Sequence, residues 1–170
     1  STRSSRTRRS SRARTAIASI RSTARAAAST AATKWGEIGD WDVSGVTDFS
    51  YSFTEWRDSA GGSTTRSSTN LRTFVGRDLV KWNTASVTTL KFAFAGASAM
   101  NVDMSKWNVA KVTTMHDTFS TTLAFEGTGL AMWDTTSVTT LEQTFAGAAK
   151  MNVDISGWNV AKVTSMAYTF

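Results

Sequence analysis

Apolar side chains recur along residues 41–170 in one fixed spacing. Each unit opens on Trp and continues with Val or Thr two residues on, Val at five, Leu, Met or Phe at eight, and Phe at twelve. The units begin at Trp41, Trp82, Trp107, Trp133 and Trp158, so the later steps are 25 or 26 residues. Two periods coexist inside each unit. Ile155, Trp158 and Val160 have the L-x-x-L-x-L spacing whose last part is a short strand with alternate residues inward. Val163, Met166 and Phe170 then stand at i, i+3 and i+7, one face of a two-turn helix. Thr139-x-x-Glu142 has the form of a capping box and predicts a helix start near that Thr. The A-G-A after Phe94 and Phe145 suits a turn out of the helix.

Self-similarity at this period predicts stacked coils. Residues 82–119 and 133–170 lie 51 residues apart and share 26 identities in 38 positions. The predicted fold is an α/β solenoid of leucine-rich-repeat-like coils, each a short parallel strand plus a short helix; the alternative is an all-β solenoid rich in Val and Thr. Stacking would put the Trp residues in one internal ladder and Phe53, Phe94, Phe119, Phe145 and Phe170 in another. Between Trp41 and Trp82 the period is interrupted by R-D-S-A-G-G-S-T-T-R-S-S-T-N, an insertion loop at about 57–70. The chain reads as residues 1–34, a basic extended or helical tail, followed by a 35–170 repeat region that stops in mid-repeat.

The segment M-N-V-D-I-S-G-W-N-V-A-K-V-T-S-M-A-Y-T-F, ending at Phe170, resembles the F-x-x-D-I-S-x-W-D-x-S-x-V-T-x-M-x-x-M-F repeat of BspA-like bacterial surface proteins and mycoplasma-type lipoproteins. The resemblance extends over about residues 41–170. Asn replaces Asp after three of the Trp residues, and Thr, Ser or Ala replaces the Met before Phe. It implies leucine-rich-repeat-related architecture and, for the bacterial members, a cell-surface location with an adhesin role. It implies no reaction.

Charge divides the chain in the same place as the repeats do. Residues 1–34 hold eight Arg and Lys34 without one carboxylate, whereas residues 35–170 hold ten Lys or Arg against thirteen Asp or Glu. The tail, at +9, is Ser/Arg-rich at first and then Ala-rich, with Ile17, Ile20, Ala24, Ala27, Ala28 and Ala31 at helical spacing. Its composition is also that of organellar transit peptides, so plastid or mitochondrion stands beside the cell surface as a compartment. Arg3, Arg6, Arg8, Arg9, Arg12, Arg14, Arg21 and Arg25 are candidates for binding an anionic surface, whether acidic protein, RNA or anionic lipid head groups. Arg57 and Arg66 in the insertion are candidates for contact with other protein chains. No apolar run approaches the roughly 18 residues of a membrane-spanning helix.

Catalytic chemistry has little to work with. There is no Cys and one His, so thiolate chemistry and a His cluster for metal are excluded, and no cofactor motif is present. His116 and Asp117 are replaced by Ala167 and Tyr168 in the sister unit, which makes the pair a surface variation and not a dyad. Rows of Thr (Thr88/Thr89, Thr113/Thr114, Thr139/Thr140) and Thr164/Ser165 suggest ice or polysaccharide binding more weakly than they suggest caps, since neighbours on a strand face opposite ways. Asp42, Asn83, Asn108, Asp134 and Asn159 are expected to satisfy backbone N–H groups at a turn. The expectation is a non-catalytic scaffold for protein–protein contact, an accessory subunit of a larger assembly, with the adhesin as the alternative.

Overall fold

The computed structural model describes residues 37–54 and 72–170. Five copies of the unit lie one on another, each joined to the next by a single parallel β-bridge: Asp48 to Thr89, Thr89 to Thr114, Thr114 to Thr140, and Thr140 to Ser165. Every bridge residue stands seven positions after its Trp. Pairing therefore falls on the Thr row, beyond the Trp-x-Val segment where the alternation of side chains predicts a strand.

The predicted helix after each strand does not form in the repeats. Residues 133–170 run as turns with the one bridge residue per unit. The reason is visible in the backbone. Tyr51, Phe92, Asp117, Gln143 and Tyr168, each three residues after a bridge, have φ between 53° and 59°. A left-handed residue there ends any right-handed helix, and the N–H groups go sideways instead of back along the chain. Leu141, Gln143 and Phe145 donate to the carbonyls of Ser165, Ala167 and Thr169 in the next coil. Thr139 of the capping-box pattern is spent in the same way, its Oγ1 donating to the Thr113 carbonyl at 2.9 Å. Successive i→i+3 turns then bring every third or fourth residue to the same side. That is why a helical spacing was written into a segment without helix. Val112, Met115 and Phe119 are all buried, as the spacing requires.

The A-G-A segment does turn. Gly96 and Gly147 have φ of 77° and 69°, and Thr121 takes the same position between them with φ 55°. Short 3-10 helices precede three of the five Trp residues, at Ile38–Asp40, Arg77–Lys81 and Leu130–Met132. The other two lead-ins use a side-chain turn instead, with Asp103 Oδ1 accepting from Ser105 N and Asp154 Oδ1 from Ser156 N, each at 2.8 Å. Gly129 starts the 3-10 turn before Trp133 with φ 89°, and a Cβ there would fall inside the backbone of Ser105.

The core is two aromatic ladders filled out by Val, Leu and Met. Phe53, Phe94, Phe119, Phe145 and Phe170 stack with centroids 5.3–5.7 Å apart. The Trp column adds a bond as well as area. Trp82, Trp107, Trp133 and Trp158 donate Nε1–H to the carbonyls of Ile38, Leu79, Met104 and Leu130, at 2.8–3.2 Å. Each of those carbonyls already accepts the backbone N–H of the Trp in its own coil, so both its lone pairs are used.

Truncation of Trp107 removes its ring contacts with Phe49 and Phe94 and a buried bond. Trp107→Ala should therefore cost about 3–5 kcal/mol in urea unfolding. Trp107→Phe keeps most of the ring and leaves Leu79 O one donor, so its loss should be nearer about 1–2 kcal/mol. Equal stability of Trp107→Ala and wild type would contradict this packing.

Candidate functional site

The residues nominated on charge, namely Arg3, Arg6, Arg8, Arg9, Arg12, Arg14, Arg21 and Arg25 in the tail and Arg57 and Arg66 in the insertion, lie outside the described residues. The rows of aligned polar residues lie inside them. Asp42, Asn83, Asn108, Asp134 and Asn159 each accept the backbone N–H two residues on, at 3.0–3.1 Å. Thr88, Thr113, Thr139 and Thr164 donate both N–H and Oγ–H to the carbonyl of the equivalent Thr in the preceding coil. Thr89, Thr114 and Thr140 turn inward enough to accept from the N–H two residues later. No α-helix is there for them to cap.

A cluster around the pair that the sequence presents as surface variation sits beside the Thr rows. His116 Nε2 lies 3.2 Å from Asp117 Oδ2, and Nδ1 lies 3.9 Å from Glu142 Oε2 in the next coil. On the other side the imidazole meets the Phe92 ring edge to face, with centroids 5.1 Å apart. Phe92 in turn stacks on Tyr51 at 4.9 Å, and Lys91 Nζ stands 5.8 Å from the Phe92 centroid. Asp117 is buried, which corrects its reading as surface variation. It is held there because it occupies the left-handed position, which Asp tolerates better than most residues. Burial pushes its carboxyl above the usual range, and Glu142 adds to this, while His116, Ser120 and Lys91 pull it back. Burial, and then Asp117, also push the Tyr51 hydroxyl up.

The Asx acceptors behave in the opposite way. Bonds from Ser105 and Ser156 hold Asp103 and Asp154 below the usual range, as bonds from Thr136 do for Asp134. Among the described residues no group of three or more His, Asp or Glu is placed to hold a metal ion. No helix among them is long and apolar enough to cross a membrane.

A family model described as Mycoplasma protein of unknown function, DUF285, matches residues 63–170. The chain belongs to the DUF285 family. The DUF285 match takes in the coils that begin at Trp82, Trp107, Trp133 and Trp158, and the His116 cluster apart from Tyr51. No match was found among curated proteins or among solved structures.

Across the five units an aligned reading could have found the cluster. The columns two and three residues after the bridge read Ser50/Tyr51, Lys91/Phe92, His116/Asp117, Glu142/Gln143 and Ala167/Tyr168. As pairs those columns differ in every coil, with Tyr recurring at 51 and 168, whereas the Trp and Phe columns do not vary.

Asp117 supplies the pH test. Its carboxyl is raised in the fold, so its contribution is favourable below the ordinary carboxyl range. It becomes unfavourable as pH rises through the raised value. Asp117→Asn should melt higher than wild type at pH 7 and lose that advantage in acid. A lower melting temperature at pH 7 that is recovered in acid would show the ion pair with His116 to outweigh burial. Asp103, Asp134 and Asp154 have the reverse sign, with stability present at neutral pH and lost as pH falls through their lowered values. Replacing all three with Asn should flatten the acid limb of the melting profile.

Proposed function

We propose that the stacked units form a turn-rich solenoid of the BspA-like, leucine-rich-repeat-related kind that acts as a non-catalytic scaffold for protein–protein contact. The observation that carries this reading is the division of labour among columns. Trp, Asx, Thr and Phe recur in place and spend their polar atoms on bonds within and between coils. The two columns after each bridge carry a different pair in every coil, and Lys91, His116 and Glu142 among them are part-exposed. In repeat proteins the invariant positions build the stack and the free positions meet the partner. Arg3, Arg6, Arg8, Arg9 and Arg12 add an electrostatic tether to an anionic partner, supported by +9 without a carboxylate in residues 1–34.

The two contributions separate experimentally. Lys91→Ala, His116→Ala and Glu142→Ala together should leave the melting temperature near wild type, since part-exposed substitutions usually change stability by about 0.5 kcal/mol or less each. Chemical crosslinking to partner chains should fall at least tenfold in the same variant; unchanged crosslinking would remove this surface from the proposal. Replacing Arg3, Arg6, Arg8, Arg9 and Arg12 with Gln should abolish salt-sensitive retention on immobilised RNA, anionic vesicles or an acidic peptide. Retention that ignores both salt and the five substitutions would exclude a charge tether.

A further inference from the structure

The variable columns beside the bridges carry charge in a particular order. Two residues after the bridge, successive coils read Ser50, Lys91, His116, Glu142 and Ala167. A cation, an imidazole and a carboxylate thus stand on three successive coils, with a small uncharged residue on either side. All three are part-exposed. Among the described residues no carboxylate lies within ion-pair distance of Lys91 Nζ. Glu142 is held in the column by its neighbours, its Oε2 3.9 Å from His116 Nδ1 and 3.4 Å from the Ser165 hydroxyl.

That order is complementary to itself under a two-fold rotation. With a second copy laid antiparallel against this face and the axis crossing the stack at the coil of His116, each column meets itself reversed. Lys91 then faces the partner's Glu142, and Glu142 faces the partner's Lys91. The adjoining columns accept the same rotation. Asp48 comes opposite Ser165, Thr89 opposite Thr140 and Phe92 opposite Gln143, so no like charges oppose each other. Asp117, which stands at the axis, is buried and does not face its own copy. Other arrangements fail on charge. A parallel pair would set Lys91 on Lys91 and Glu142 on Glu142, and an axis one coil away in either direction would do so for one of them. A half-step leaves Lys91 without a carboxylate.

We propose that this face pairs with a second copy of the chain in an antiparallel two-fold dimer centred on His116. The inference rests on the reading of these columns as the contact surface, and it names the partner. A two-fold contact uses the same patch on both subunits and so requires a patch that complements itself. Charge order of this kind fixes register and excludes wrong partners more than it adds affinity. Five coils at about 4.8 Å each give a face about 24 Å long, which places the pair in the weak, transient class of interfaces.

Sedimentation velocity of the full chain across micromolar concentrations tests this, with a concentration-dependent dimer expected for wild type. Lys91→Glu alone and Glu142→Lys alone each set two like-charged pairs in the interface, and each should weaken the dimer at least tenfold. Mixing the two variants should restore it, because both contacts of the mixed pair then join opposite charges. Both substitutions on one chain should restore it as well. The mixture keeps the test decisive should either variant be less stable, since mixing does not repair folding. A chain that is monomeric at every concentration would overturn the proposal, as would a dimer that ignores the substitutions or a loss that mixing does not restore. Crosslinking of the triple alanine variant reads the surface separately, so each of these results removes the pairing and leaves the scaffold reading to its own test.

Discussion

The stack depends on a carbonyl shared between two coils. Leu79 O takes the N–H of Trp82 in its own coil and the indole N–H of Trp107 from the next, and Ile38, Met104 and Leu130 do the same. A buried indole must find an acceptor, and a buried carbonyl with a spare lone pair is the nearest one. One contact therefore fixes the ring, the turn before it and the distance to the neighbouring coil together. The repeated Trp is consequently more than bulk. Leu would fill part of the same space and leave the register between coils less determined.

A second constraint follows from building coils of turns. Five non-glycine residues sit in the left-handed region at one equivalent place, at about 1–2 kcal/mol each for ordinary side chains. At each step at least four backbone hydrogen bonds cross to the neighbouring coil, each with a net value of about 0.5–1.5 kcal/mol. The ladder therefore outweighs the strain, but only when the neighbour is in place. A single coil would carry the cost without the return. Stability in such a chain is a property of adjacent pairs.

Much of this was legible in the sequence, and the part that was not has a physical cause. Repeat length, the inward Trp and Phe columns and the Asx turns are written as identities at fixed spacing, and the side chains are found where that spacing puts them. The helix after each strand was misread because Val163, Met166 and Phe170 fit a helix face and a run of turns equally well. Only the φ of Tyr168 and its equivalents separates the two, and Tyr, Phe, Asp and Gln give no hint of a left-handed backbone. The capping-box pattern at Thr139 and Glu142 failed for the same reason: the Thr hydroxyl found a carbonyl in the preceding coil first. Asp117 was hidden by comparison with a single sister unit. Its burial beside His116 arises from the left-handed position and from packing between coils, neither of which appears in a list of residues.

From the coil that begins at Trp82 onward the lead-ins to Trp alternate in kind, whereas the first two coils both enter through a 3-10 turn. Leu79 and Leu130 reach theirs through a 3-10 turn entered from Gly76 or Gly129, whereas Asp103 and Asp154 reach theirs through an Asx turn. From Trp82 onward adjacent coils are thus not interchangeable, but coils two apart are, and those lie 51 residues apart in the chain. In genetic terms the heritable module is the pair. Recombination that inserts or removes 51 residues preserves both the ladder and the alternation, while a change of 25 or 26 repeats the pairing of like lead-ins that the first two coils already have.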